Sequence, residues 1–151
     1  MCFTIHMILR LLPLVLIGSA LAQESQPTLN ALEKDFAESM SGVTLSGHFS
    51  RQDGNLSNDT YQIDKVTKVK DDLWRIEARI QHGGKDLKVP VEIHVKWAGD
   101  TPVLELTDES VMGMGSFTVR LVVYRGHYAG TWSAANGHGG QMFGDISKTA
   151  K

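Results

Sequence analysis

The side chains best suited to binding a small molecule in this chain are aromatic residues and methionines. Four aromatic residues share the phase of apolar positions in alternating segments, and two methionines alternate with glycines at 112–115. Aromatic rings and thioethers offer large, polarisable apolar surfaces. We predict that the ligand contacts are Trp74, Trp97, Tyr128, Trp132, Met112 and Met114. The alternative is that the aromatic residues fill the core and the methionines pack under a loop.

Residue patterns for catalysis or metal binding are missing from the sequence. The histidines have neither the H-x-H spacing of a strand site nor the i, i+4 spacing of a helix site. The sequence contains no G-x-S-x-G motif, and its single cysteine is Cys2. Adjacent carboxylates, such as Asp71 and Asp72, are expected to point apart in turns. The sequence therefore predicts no catalytic residue, metal ligand or cofactor, and it favours a binding protein over an enzyme.

Residues 1–22 are predicted to be a signal peptide. Arg10 supplies a positive charge, residues 11–17 form a short apolar core, and the small residues of 20–22 make an A-x-A cleavage site. The mature protein would therefore be secreted or periplasmic, with no insertion into a membrane. It would also lack Cys2 and hence any disulfide.

The charge balance of the chain is mild. Fifteen basic and seventeen acidic residues give a net charge of −2, and removal of Arg10 makes this one unit more negative. Such a balance predicts no nucleic-acid partner. Asn55 and Asn58 each begin an N-glycosylation sequon, which is meaningful only in a eukaryotic secretory pathway.

A single amphipathic helix is predicted over residues 30–41, after a flexible leader at 23–28. Asn30 followed by Glu33 is typical of a capping box, and Gly42 is a natural helix stop. The expected apolar stripe, which would cover one open end of the fold, consists of Leu29, Leu32, Phe36 and Met40.

Alternating apolar and polar residues predict strands from residue 43 onward, most clearly over 87–97. Residues 61–69 keep this alternation only if a bulge lies near Lys65, and residues 82–85 form a hairpin turn. Short connections favour an up-and-down meander, and eight strands can close into a barrel that has no exposed edges. We therefore predict a mainly β protein: an eight-stranded antiparallel barrel with one N-terminal helix, spanning 29–147, with a tail at 148–151. A two-sheet sandwich is the alternative fold.

The residues of the last predicted hairpin resemble those of calycin-like barrels. The relevant segments are 128–132, 138–140 and 143–144, which also resemble small secreted bacterial proteins of unknown function. The resemblance implies a small apolar or amphipathic ligand inside the barrel, as in lipocalins. The chain departs from lipocalins at 46–49, where their first-strand Gly-x-Trp has no counterpart.

Two functions remain open from the sequence. The first is a secreted protein that holds a small apolar ligand in the barrel or at its mouth. The second is a protein-interaction or inhibitor module without a small-molecule ligand, which would insert the leader at 23–28 into a target. The choice depends on whether the interior of the barrel is hollow or filled.

Overall fold

A computed structural model describes residues 27–82 and 84–150 of the chain. The predicted signal peptide, most of the predicted leader (23–26) and Gly83 of the predicted hairpin lie outside the described residues. One helix is followed by a series of strands. The elements are α1 (Ala31–Met40), β1 (Val43–Ser50), β2 (Leu56–Lys70), β3 (Leu73–His82), β4 (Lys85–Ala98), β5 (Thr101–Val111), β6 (Gly115–Tyr124), β7 (His127–Ala134) and β8 (Gly139–Lys148).

The strands form a closed up-and-down barrel. Each strand pairs antiparallel with the next in sequence, and β8 pairs antiparallel with β1. Closure places Val43 opposite Lys148 and Phe49 opposite Met142. The predicted eight-stranded antiparallel barrel with one N-terminal helix is thus confirmed, and the sandwich alternative is wrong. Because the chain alternates direction, α1 and every second turn lie at one end of the barrel.

The helix begins with the predicted capping box. The Asn30 side chain accepts a hydrogen bond from the Glu33 backbone N (2.9 Å), and Glu33 Oε2 accepts one from the Asn30 backbone N (3.0 Å). Gly42, with φ of +64°, follows the helix in the left-handed region that glycine tolerates best.

The buried face of α1 differs from the predicted apolar stripe. Leu32 is 39% exposed, whereas Glu33 is only 8% exposed and lies with Phe36 and Met40 on the buried face. Glu33 is buried because Lys68, on β2, meets it at 2.5 Å. The prediction for Leu32 was therefore wrong, since a specific ion pair, rather than hydrophobicity alone, sets the rotation of the helix.

Two strands are longer than the alternation of apolar and polar residues indicates. β2 begins at Leu56 rather than Tyr61, and its register shift between Ile63 and Lys65 confirms the expected bulge. β5 covers Thr101–Val111, well beyond its two apolar residues at 104 and 106. In both cases the additional residues are mostly polar, so alternation of hydrophobicity does not mark them.

The C-terminal end of the chain is joined to the start of β1. β8 continues to Lys148, the first residue of the predicted tail, and the Thr149 backbone N donates a hydrogen bond to the Gly42 carbonyl (3.0 Å). The Thr44 and Thr149 hydroxyl groups lie 3.0 Å apart. These contacts hold residues 148 and 149 against the helix end of the barrel.

Aromatic packing closes the helix end. The Phe36 ring lies edge-on to Trp74, with centroids 5.1 Å apart, and edge-on to Trp97 at 6.1 Å. Trp74 and Phe36 are almost fully buried. Aromatic pairs in this geometry gain about 0.5–1.5 kcal/mol beyond area burial. Phe36 of the helix and two tryptophans of the barrel, Trp74 and Trp97, therefore close this end together.

Candidate functional site

A cavity of about 210 Å³ lies inside the barrel. Met40 of α1 borders it, and residues of the strands form its wall. The wall is almost entirely aliphatic or aromatic. Its central part is formed by Leu45, Ile63, Ile76, Ala78, Ile80, Val91, Ile93, Leu104, Leu106, Leu121 and Met142. Alternation along every strand produces this surface, because successive side chains point to opposite faces.

The six predicted ligand contacts are divided between three environments. Trp132 and Met114 line the cavity. Trp74 and Trp97 pack against Phe36 at the helix end and do not border the cavity. Tyr128 and Met112 also lie outside the cavity wall: Tyr128 is buried at 2% exposure, whereas Met112 is 71% exposed in the β5–β6 turn. The structure thus brings two of the six residues to the cavity.

A buried carboxylate belongs to the cavity wall. Asp59 is 4% exposed, and the hydroxyl of Tyr61, two residues along β2, donates a hydrogen bond to its Oδ2 atom. Burial, together with the negative charge of Asp59, raises the pKa of Tyr61 far above its usual value. Tyr61 therefore stays protonated and remains a donor to the carboxylate at all physiological pH values.

Tyr128 approaches the same carboxylate across two glycines. Tyr128, Gly144, Gly47 and Asp59 are successive partners on β7, β8, β1 and β2. A Cβ on Gly47 would come within 2.5 Å of the Tyr128 hydroxyl, so glycine is required for the ring to lie there. Burial, with the charges of Asp59 and Asp145, raises the pKa of Tyr128 to about 12. The Tyr128 side chain therefore remains protonated and neutral where it covers this part of the wall.

Two buried polar atoms near the cavity have no partner among the described residues. These are the Tyr128 hydroxyl and the indole Nε1 of Trp132. The Trp132 ring lies edge-on to Phe49, with centroids 5.7 Å apart, and both residues line the cavity. Buried polar groups without partners are few in native proteins. Each one destabilises the folded state, because it loses the hydrogen bonds that it makes with water in the unfolded chain.

Among the side chains that the structure describes, the ionisable groups that border the cavity are acidic or neutral. The lining residues include no lysine or arginine of the described part of the chain. The two carboxylates that border it are Asp59 and Glu105. The Glu105 side chain is 31% exposed and lies 3.8 Å from Arg120 Nε, so solvent and a cation screen it.

An ion pair fixes the helix over the cavity. Lys68 Nζ lies 2.5 Å from Glu33 Oε1, with both side chains nearly nine-tenths buried. Burial raises the pKa of Glu33, but hydrogen bonds from Lys68 and Asn30 and the Lys68 charge outweigh it, so the pKa is lowered overall. Because Met40 of the same helix borders the cavity, this pair holds one of its walls in place.

Two histidine–carboxylate pairs lie on the surface of the barrel, outside the cavity. His94 Nδ1 is 2.8 Å from Asp72 Oδ1, and His127 Nδ1 is 2.7 Å from Asp145 Oδ1. Hydrogen bonds from Lys96 and His94 lower the pKa of Asp72 to about 2. Over 27–82 and 84–150, no group of three or more potential metal ligands occurs.

Both sequon asparagines are exposed, although they lie in different elements. Asn55 lies in the turn before β2, and Asn58 lies within β2 opposite His48. The two sequons therefore do not share one loop, because β2 begins at Leu56.

Sequence reasoning missed the polar part of the cavity. Asp59 and Tyr61 occupy alternate positions before Ile63, so their phase on β2 signals that they face inward. The polar run before residue 61 resembles a turn, and that resemblance conceals the signal. If the strand had been predicted to begin at Leu56, the Asp59 carboxylate would have been predicted to lie inside the barrel.

Comparisons with known protein families, characterised proteins and solved structures find no match for this chain. Within the part of the chain that the structure describes, no helix has both the length and the apolar character needed to span a membrane.

Proposed function

We propose that this protein binds one small, largely apolar molecule inside the barrel. The observation that carries the proposal is the cavity of about 210 Å³ with an aliphatic and aromatic wall. An apolar cavity of about 150 Å³ is large enough for benzene. The volume therefore suits one ring with short substituents rather than an extended chain.

Access to the cavity is proposed to run past the β5–β6 turn. Met114 borders the cavity, and its neighbour Met112 projects into solvent. Lys85 Nζ donates a hydrogen bond of 2.7 Å to the Gly113 carbonyl, which ties this turn to the start of β4. Methionine side chains adapt their shape readily, which suits a rim that must admit a ligand.

The calycin-like resemblance supports the same function. The closed eight-stranded antiparallel barrel is compatible with a calycin-like fold, and the resemblance implies a ligand held within it. Together with the predicted signal peptide at 1–22, this favours a binding protein that acts outside the cytoplasm, in the manner of the small secreted bacterial proteins that its last hairpin resembles.

Calorimetric titration of the mature protein with p-xylene tests the proposal. Tryptophan fluorescence offers a second readout, because Trp132 lines the cavity whereas Trp74 and Trp97 pack at the helix end. Binding should change the Trp132 signal and raise the midpoint of thermal unfolding by mass action. A Trp132→Phe variant serves as the control, since it should bind but lose the fluorescence response. Absence of heat, fluorescence change and thermal shift up to the solubility limit would refute the proposal.

The alternative interaction module depends on the leader at 23–28, of which only residues 27 and 28 are described. Deletion of 23–28 distinguishes the two functions. A cavity ligand should still bind the shortened protein with unchanged affinity, whereas an inhibitor that inserts its leader would lose its target.

A further inference from the structure

We infer that the ligand enters and leaves the cavity sideways, through a slot in the barrel wall between β4 and β5. The inference rests on the proposed binding function and specifies how a ligand reaches its site. The carrying observation is the pairing of these two strands. Residues 94–98 of β4 pair with residues 101–105 of β5, whereas residues 85–93 of β4 form no pairs with the described residues of β5.

The unpaired part of β4 has an edge suited to remaining unpaired. Successive residues of an antiparallel strand direct their backbone groups alternately to its two neighbours. The Val95 backbone N donates to the Asp72 carbonyl (2.8 Å) on the β3 side, and the β3–β4 register continues without a shift through the rest of β4. Pro90 therefore faces β5, where its lack of an N–H removes a hydrogen-bond donor. With Lys88 and Glu92 on either side of it, this edge also opposes the addition of a foreign strand.

The cavity reaches the slot at the place where strand pairing ends. Leu104 and Leu106 are buried on the inward face of β5, so Glu105 between them belongs to the outer face. Glu105 pairs with His94, the last residue of β4 to pair with β5 before the slot. Glu105 nevertheless borders the cavity. The empty space therefore extends through the wall at this position.

Val91 leads to the same conclusion from the opposite side of the slot. It borders the cavity from β4 and is only partly buried. Val89 and Ile93, its neighbours on the inward face, are 4% and 6% exposed. In a continuous wall, three inward residues in a row are expected to be equally buried. The greater exposure of Val91 is therefore a consequence of the missing strand pairs beside it.

Contacts at the β5–β6 turn close the other end of the slot. Lys85 Nζ donates a hydrogen bond to the Gly113 carbonyl (2.7 Å), and a Cβ built on Gly113 would lie 3.2 Å from Leu87 Cδ1. Between this contact and the paired region, residues 87–93 span about 20 Å at the usual rise of a strand. A ring can pass edge-on when the turn contact breaks, whereas entry at the helix end would displace the buried Phe36 ring.

A reversible disulfide across the turn contact tests the inference. The variant Leu87→Cys/Gly113→Cys is made in the mature protein, which has no other cysteine because Cys2 lies in the predicted signal peptide. Stopped-flow fluorescence of Trp132, which lines the cavity, follows the binding and release of p-xylene. Oxidation should slow both rates by about tenfold or more, and reduction should restore them. The dissociation constant should stay within about twofold, because a closed entrance raises the barrier without changing the free or the bound state.

Two lysine variants locate the entrance without a cysteine at Gly113, where φ is +81°. Lys85→Met removes the hydrogen bond to the Gly113 carbonyl and should raise both rates about threefold to tenfold, the range for one hydrogen bond. Lys148→Met is the matched control at the helix end. Its exposed ammonium donates to the Glu38 and Ser41 carbonyls at 3.2 and 3.3 Å. Loss of these contacts should leave both rates within about 1.5-fold if the ligand passes through the slot.

The outcomes separate the route from the binding function. If p-xylene binds at rates that respond neither to oxidation of the double-cysteine variant nor to Lys85→Met, the slot is overturned and the binding function stands. Faster exchange in Lys148→Met instead would assign the entrance to the helix end and would also overturn the slot. If the double-cysteine variant does not fold or oxidise, the two lysine variants decide the inference. Absence of p-xylene binding to the wild type would overturn the inference and the binding function together.

Discussion

Replacing Ala78 with leucine should stabilise the protein and abolish ligand binding. Ala78 is 8% exposed, lies between Ile63 and Val89 in the sheet, and borders the cavity. Because its methyl group borders the empty volume, we expect a longer side chain at this position to extend into the cavity. Most substitutions in a packed core are destabilising, which makes a gain in stability diagnostic of real empty space.

The magnitude follows from the carbon atoms that are added. Leucine brings three more carbons than alanine, and burial of each contributes about 0.8 kcal/mol, for a maximum of about 2.4 kcal/mol. Ordering the leucine side chain opposes this by about 0.5–1 kcal/mol. The free energy of unfolding should therefore rise by about 1.5 kcal/mol, which corresponds to a shift of the thermal midpoint of about 5 °C. The added carbons occupy space that a ring requires, so affinity for p-xylene should fall at least tenfold.

Chemical denaturation and calorimetric titration measure the two effects on the same variant. The matched control is Ala129→Leu, which places the same side chain on the exposed face of β7 and should change stability by no more than about 0.5 kcal/mol. If the interior is already filled, Ala78→Leu will instead destabilise the protein by about 1–3 kcal/mol through overpacking. That outcome would refute the cavity and, with it, the proposed binding function.

Three further predictions concern the packing and charges around the cavity. Phe36→Ala should lower the free energy of unfolding by about 3–5 kcal/mol in urea denaturation, because it removes the ring between two tryptophans; a loss below about 1 kcal/mol would contradict the packing. Glu33→Gln should destabilise by about 3 kcal/mol at pH 7 by leaving Lys68 unpaired. Because the folded pKa of Glu33 lies below 4.5, the stabilisation is present above that pH and is lost on acidification, so wild type and variant should converge at low pH. Tyr128→Phe should be neutral or stabilising by up to about 1 kcal/mol, since it deletes an unpartnered hydroxyl, whereas Tyr61→Phe should destabilise by about 1–2 kcal/mol through loss of its hydrogen bond; the reverse order would refute both assignments.

The alternation of apolar and polar residues along the chain was sufficient to predict the strands of the barrel. Alternation gives the inward face of each strand directly, and the capping pair of Asn30 and Glu33 locates the start of the helix. The bulge near Lys65 was predictable because the apolar residues on either side of it are out of phase. These features are local, so a short window of sequence contains all the information that they require.

Features that depend on partners distant in sequence could not be predicted in the same way. Glu33 is buried only because Lys68, thirty-five residues later, faces the helix. Leu32, four residues before Phe36, had the right spacing for the buried stripe and is exposed nevertheless. The N-terminal part of β2 was missed because Asp59 occupies an inward position that the hydrophobic pattern reserves for an apolar residue. A buried carboxylate therefore breaks the hydrophobic pattern in the cavity wall.

The hollow interior results from where the large side chains are placed. Trp74 and Trp97 are held at the helix end by Phe36, and Tyr128 lies against the wall over two glycines, so the central positions contain mainly aliphatic side chains. An unfilled cavity lowers stability by about 24 cal/mol per Å³, or about 5 kcal/mol for this volume, which is a large part of the stability of an ordinary domain. A single substitution such as Ala78→Leu would recover part of that loss. Occupation of this void by the proposed ligand would offset the lost stability, because a molecule that binds only the folded state stabilises it.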